Sequence, residues 1–463
     1  MIFFPEVASL RTFFYIWRSM VTYSQSIIFL TGWLSLCLST RVLAQVPAPG
    51  KLPPKPVLIY NAIIHTGIGN VINNGTVILE KGKIISLSES SGNIISVVEK
   101  AKYETLDANG QHLYPGFISM NTPLGLNEVD AVRATLDLAE TGTENPNAHA
   151  LSAYNTDSDL IPTIRTNGVL MAQITPRGQR VRGLSALVQL DAWYWEDAAV
   201  KPRDGMHIVW PSKYKNTGWW AEPGSIEKNK EPNKDNEEIE RLFQDAQIYA
   251  ASTVKKLNTK LAAVQEVLEG KITLYLNADY AADIVSALQF AERLKVPKVV
   301  LITGSQVLQV LELVKQRKIP IILQRIHTLP LRPEDNPNLD TDLPKKLVDA
   351  GVLCALSYEG DMEIMGSRNL GFLAGSAVRG GLSKEQALQL ICLNPAKIIG
   401  LENQIGTIEP GKDATLFLSE GDALDMKTQK LTHAWIQGRP ISLESKQTAL
   451  YEKFKKMLKE GRN

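Results

Sequence analysis

Tyr114-Pro115-Gly116-Phe117-Ile118-Ser119-Met120-Asn121-Thr122-Pro123-Leu124-Gly125-Leu126 is the stretch whose reading decides this protein. An apolar run entered through Pro-Gly ends on Ser119, Asn121 and Pro123. Two imidazoles at alternate residues of a strand would share one face and could grip a cation together. Here the alternate positions hold an amide and a proline, and proline has no side-chain donor atom. The chain has six His (His65, His112, His149, His207, His327 and His433), and no two of them stand as His-x-His. No register of any strand therefore places two imidazoles at alternate residues.

The rest of the chain sets the scale. Its 463 residues suffice for a large α/β core plus a small satellite. Apolar residues make up 44% and charged residues 21%, which is globular composition. A net charge of +1 gives no field that would draw nucleic acid. Of three Cys, Cys37 lies in the N-terminal segment, while Cys354 and Cys392 sit in apolar surroundings as small hydrophobes. Whether those two pair is left open by the sequence.

The first residues read as an address. Ser26–Cys37 is a short apolar run followed by Val42-Leu43-Ala44-Gln45, with residues suited to cleavage after Ala44. The run is shorter than the ~20 residues of a membrane span. The expectation is export to the periplasm or the extracellular space, with membrane anchoring as the weaker reading. A Pro-rich linker covers 45–55.

From Val57 the sequence has strand grammar: Val57–Ile64, Gly75–Glu80 and Lys83–Leu87, with turns at Asn74-Gly75, Lys81-Gly82 and Asn109-Gly110. Later the rhythm alternates. Strands at Lys271–Asn277, Lys298–Thr303, Ile319–Leu323 and Val352–Leu356 are separated by helical patterns at Ala281–Leu294, Val307–Lys315 and Leu343–Ala350. This is βαβ spacing, expected to give parallel strands, and it fits a barrel or a doubly wound sheet equally. Met206–Trp210 is read as a further strand. Glu227–Glu238 is a charged loop leading into two helices, with Ile239, Leu242, Phe243 and Ala246 on one face and Leu257, Leu261, Val264 and Leu268 on the next. Thr415–Leu418 and Ala434–Gln437 return to β grammar. Leu450, Phe454 and Met457 space a stripe on a Lys-rich tail, expected as a docked terminal helix, with a membrane-surface helix as the weaker reading.

Four ordered stretches carry a resemblance. They are Asn61–Ile64 with Asn74–Val77 and Gly82–Ile84; Leu106–Gly110 running to Pro115–Ile118; Gly381–Leu388; and Leu393–Lys397 continuing through Gly400-Leu401 to Gly406–Ala414. Together they resemble the amidohydrolase superfamily, and within it the imidazolonepropionase-like group. That resemblance implies an α/β fold: a TIM-like (β/α)8 barrel with a small β-sandwich built from both terminal segments. The implied layout is a signal peptide at 1–44 and a linker at 45–55. The sandwich then takes 56–115 and 401–441, the barrel 116–400 with a helical insertion near 225–270, and a terminal helix 442–463.

The superfamily's first-strand motif is Pro-Gly-Phe/Leu-Ile-Asp-x-His-x-His. Here Ser119 stands for Asp, and Asn121 and Pro123 stand for the two His. Later ligand positions fall on Asn277 and Thr303, and the Asp of the last strand falls on Glu359. A divalent metal is the family norm, since it polarises a carbonyl and makes hydroxide available near neutral pH. With these replacements no cofactor and no metal-ligating set is expected. The implied activity is hydrolysis of carbon–nitrogen bonds in cyclic amides, amidines or peptide-like substrates. One reading keeps a hydrolase with a site rebuilt from Glu359, Asn277, Asn121, Thr303 and His327. The other is a pseudoenzyme that binds a small or peptide-like ligand, forms a homo-oligomer, or pairs with an active homologue. Ser119 lacks a Gly-x-Ser-x-Gly setting. Trp193-Tyr194-Trp195 with Trp219 and Trp220 either line a pocket or pack under loops. Asp157, Asp159, Glu196 and Asp197 are read as solvated loop carboxylates.

Overall fold

A computed structural model describes residues 47–89, 102–218, 222, 224–229, 232–252, 256–329, 334–360 and 362–460. The expected signal segment and Trp219 and Trp220 lie outside these residues. Among the described residues no helix is long and apolar enough to cross a membrane.

The satellite sheet begins with β1 (Val57–His65), β2 (Val71–Glu80), β3 (Lys83–Glu89), β4 (Glu104–Asp107) and β5 (His112–Pro115). Lys81-Gly82 forms the β2–β3 turn, with φ of 48° and 85°. Both central residues of a tight hairpin turn of this hand need positive φ, which glycine adopts without strain. Asn74-Gly75 is not a turn: it lies inside β2, with Gly75 opposite Ala62.

The barrel sheet comprises β6 (Phe117–Thr122), β7 (Val169–Ile174), β8 (Val181–Gln189) and β9 (Ala199–Val209), followed after a small hairpin, β10 (Tyr214–Asn216) and β11 (Ile226–Lys228), by β12 (Thr273–Asn277), β13 (Val299–Thr303), β14 (Ile321–Leu323) and β15 (Cys354–Leu356). The order runs β15-β14-β13-β12-β9-β8-β7-β6, and a parallel bridge between Met120 and Ser357 brings the edges together. The expectation of parallel strands fails at one place. β8 runs antiparallel to both β7 and β9. The β7–β8 connection is a hairpin of Thr175–Arg180, too short for the crossover that parallel strands need. The sheet closes as a barrel because helices cover its outer face. Alternation turns Tyr275, Ile302, Ile322 and Ala355 inward, and Leu274, Leu301, Leu323 and Leu356 outward under Phe290, Leu347 and Leu373. Helices Pro232–Ala251 and Thr259–Leu268 pack together.

The chain returns to the satellite through β16 (Leu416–Ser419), β17 (Leu431–Ile436) and β18 (Arg439–Pro440). β16 pairs antiparallel with β5, so the two terminal segments build one sheet. Phe417 joins sheet to barrel: its ring meets Phe117 edge-on at 5.0 Å and Tyr114 at 5.6 Å. Cys354 and Cys392 are buried and free.

The expected docked terminal helix is corrected in part. Lys446–Glu460 is helical, but none of its residues is buried. It is held near its start, where Thr163 Oγ1 donates to Gln447 Oε1 at 2.6 Å.

A buried ion pair fastens three parts of the chain. Arg165, 1% exposed, donates to the Asp191 carboxylate and to the Leu190 carbonyl. Asp191 also receives Gly50 N–H at 2.8 Å, and its carbonyl accepts from Arg439 at 3.1 Å. Removing one member of a buried pair strands the other charge. Asp191→Ala is expected to lower stability by about 3–5 kcal/mol, read from the urea midpoint at unchanged slope. Loss of less than about 1 kcal/mol would show that Arg165 finds water or another partner.

Candidate active site at the barrel mouth

β6 ends in a bulge. Its register against β7 breaks between Ser119 and Thr122, and Asn121 takes a left-handed φ of 50°. Bulges re-aim side chains, and asparagine is among the residues that tolerate this conformation. Here the bulge turns Asn121 into the barrel mouth, where its Nδ2 donates to Glu359 Oε2 at 2.8 Å. The two positions read from opposite ends of the barrel are thus brought together.

Sequence reasoning missed the groups that surround them. The β7–β8 hairpin carries Arg177, Arg180 and Arg182 within six residues of a nearly neutral chain, and that local run was the available signal. Arg177 makes a fork on Glu363, with bonds of 2.9 and 2.7 Å. It also donates to the Asn121 carbonyl at 2.9 Å and to Asn121 Oδ1 at 3.3 Å. Arg182 lies 3.8 Å from Glu359. Its Nε and Nη1 are buried and make no hydrogen bond among the described residues. Burial, and then the neighbouring Arg177, push Arg182 down to about 10. Burial also holds the Glu359 carboxyl above the usual carboxylate range, with Arg177 and Arg182 pulling the other way.

A chain of hydrogen bonds runs from the barrel floor to this mouth. Lys201 Nζ donates to the Ile399 carbonyl at 2.6 Å and to Asp204 at 2.9 Å. Asp204 accepts from Tyr275 at 2.7 Å and from Gln173 at 2.6 Å. Gln173 Oε1 accepts from Asn121 N–H at 3.0 Å, and Asn121 leads on to Glu359. Beside this chain, His207 stacks on Tyr275 at 4.4 Å and shares a 3.0 Å hydrogen bond with Ser185. Burial, Arg182 and Arg177 hold that imidazole neutral, well below its ordinary range.

The remaining positions divide. Asn277 faces inward in the alternation of β12, and both of its amide atoms are buried with no partner among the described residues. Thr303 is not at the mouth: Ile302 takes the interior, so Thr303 points outward with Leu301. His327 is also displaced. It is exposed, on the loop after β14, and its Nε2 meets Ser376 of the outer helix Leu370–Arg379. Pro123 lines a cavity of about 200 Å³ with Asn127 and Glu363. On the other side, Asp279, Gly304, Gln324 and Arg325 line one of about 210 Å³. There Asp279 accepts from Gln324 at 2.8 Å, and burial raises its carboxyl.

Comparison with known proteins places the fold. Residues 237–459 match the family model described as "Amidohydrolase family". No match was found among curated proteins. Among solved structures the chain is similar to an amidohydrolase from Thermotoga maritima MSB8, with a TM-score of 0.72 and 24% identity over 83% of this chain and 99% of that one. It is also similar to a prolidase complexed with N-methylphosphonate-L-proline, with a TM-score of 0.51 and 13% identity over 84% and 100%. This barrel with its two-ended satellite sheet is an amidohydrolase architecture. The likeness shows the amidohydrolase fold, with the family model covering residues 237–459. These matches reach the superfamily and not the imidazolonepropionase-like group within it.

The superfamily usually employs a divalent cation, and the donors here do not suit one. Among the described residues no three His, Cys, Asp or Glu side chains converge to hold a metal. The Asn121 carbonyl oxygen and amide Oδ1 both face a guanidinium. A divalent cation would be repelled by Arg177 and would find a proline at the alternate position. Purified protein is expected to carry no stoichiometric zinc, nickel or manganese by elemental analysis. The double variant Asn121→His/Pro123→His should stay metal-free while Arg177 remains. One tightly held ion per chain in either protein would overturn this account.

Proposed function

We propose that this protein is a hydrolase of carbon–nitrogen bonds, of the amide or cyclic-amide kind, working at the barrel mouth with guanidinium groups in place of a metal. The observation that carries this reading is Glu359. It is a half-buried carboxyl, its side chain 14% exposed, oriented by Asn121 Nδ2 at 2.8 Å, beside an arginine with unused N–H groups.

The chemistry follows from that placement. Glu359 takes a proton from a water molecule as the water oxygen bonds to the substrate carbonyl carbon. The carbonyl oxygen gains the negative charge, and the open N–H groups of Arg182 are donors suited to it. The carbon–nitrogen bond then breaks, and Glu359 returns its proton to the leaving nitrogen. A carboxyl raised toward neutrality suits both halves of this exchange. Arg177 stays engaged with Glu363 and Asn121 and acts as a positioning residue.

The test is turnover of a panel of N-acyl amino acids, dipeptides and cyclic amides. Glu359→Gln is expected to lower kcat by about 100-fold or more, with chelators without effect. If Glu359 is the base, activity falls as pH drops through its raised pKa. Removing the cation in Arg182→Met should move that acid limb to higher pH, because Arg182 favours the charged carboxylate. Retained binding of a panel member with no turnover by the wild type would replace hydrolysis with ligand binding. A chelator-sensitive rate would return the reaction to a metal.

A further inference from the structure

We propose that the face carrying Trp193–Trp195 and the terminal helix Lys446–Glu460 docks on an anionic lipid bilayer. Two separate elements point there. The helix exposes a stripe at helical spacing: Leu450 at 43%, Phe454 at 51%, Met457 at 37% and Leu458 at 77%. Between Lys446 and Glu460 it holds five lysines (446, 453, 455, 456, 459) against two glutamates (452, 460), a difference of +3 in a chain whose total is +1. Lys453 and Lys455 lay their ammonium groups near the rings of Phe454 and Tyr451, at 6.0 and 5.2 Å. Apolar bodies flanked by long-stemmed lysines are the chemistry of a helix lying in a headgroup layer.

The second element is an aromatic loop. Trp193 and Tyr194 are 59% and 58% exposed, although the loop itself is held: Asp197 accepts Trp193 N–H at 3.0 Å. Tryptophan and tyrosine are side chains favoured at the membrane–water boundary. Both elements are fastened to one short segment. Thr156 Oγ1 donates to the Trp193 carbonyl at 3.3 Å, Thr163 holds Gln447, and Asp159 lies 3.7 Å from Lys446. β8 runs antiparallel to β7 and ends at Gln189, and the aromatic loop follows it.

Charge selects the occupant. A second copy applied through the same helix would set lysines against lysines, whereas anionic headgroups neutralise them. The full chain is expected to co-sediment with phosphatidylcholine vesicles containing phosphatidylglycerol, and much less with pure phosphatidylcholine. Salt should weaken the binding. Phe454→Glu with Leu458→Glu should lower the partition coefficient more than about tenfold. Each change among Lys453→Gln, Lys456→Gln and Lys459→Gln should cost about fivefold. Trp193→Ser, far away in sequence, should also reduce binding, while thermal unfolding stays unchanged for all of these exposed positions. Binding that none of the variants moves would assign it to another part of the chain and overturn the proposal. So would failure to bind anionic vesicles. Dimerisation in solution abolished by the Phe454/Leu458 variant would give the helix to a second copy instead.

Discussion

Positive charge at the mouth of the barrel is the constraint that organises this protein. In the superfamily that charge usually comes from a divalent cation held by imidazoles and carboxylates. Here two guanidiniums from one hairpin stand at the mouth, and each needs a counter-charge once it is taken from water. Arg177 is met by Glu363 and by both oxygens of Asn121, and Arg182 by Glu359. Asn121 and Glu359 fit the two guanidiniums as one arrangement. An amide can accept from arginine and donate to glutamate at the same time, which an imidazole bound to a metal cannot.

The same logic explains the odd strand. The antiparallel excursion gives a connection that starts and ends at the mouth, and it carries the arginines. β8 goes down and β9 comes back, so the hairpin Thr175–Arg180 sits over the opening. The gap beneath is filled by a polar column rather than by apolar layers alone. Lys201, Asp204, Gln173 and Asn121 form a continuous series of hydrogen bonds, with Tyr275 braced against Asp204. Such a column is costly unless each member is satisfied, and here the members are paired. It fixes the rotamer of Asn121 and through it that of Glu359, which is the kind of support a reacting carboxyl needs.

Legibility varied with the range of the interactions. Turns such as Lys81-Gly82, and strands and helices of regular period such as Lys298–Thr303 and Ala281–Leu294, were readable because short-range backbone preferences decide them. Asn74-Gly75 was misread as a turn because the pairing of β2 with β1 overrode a local preference. Thr303 and His327 were misplaced for a different reason. A sequence match gives the position along a strand, not the face to which that residue points. One step in the period of two sends Thr303 to the helical layer. The arginine hairpin was passed over because three charges in a loop look solvated until burial is known.

Sequence alone determined that a histidine pair is missing, because a proline offers no donor and the chain has no His-x-His to offer instead. Periodicity and turn chemistry, being local properties, gave the alternation of strands and helices, while the barrel and the two-ended satellite rested on the resemblance, since the same alternation fits a doubly wound sheet. Only the tertiary structure decided what replaced the missing pair. Asn121, Arg177, Arg182 and Glu359 come from three separate parts of the chain, and their meeting depends on a bulge, an antiparallel strand and the closure of the sheet. Contacts over such separations leave no periodic trace, because packing rather than chain neighbourhood creates them.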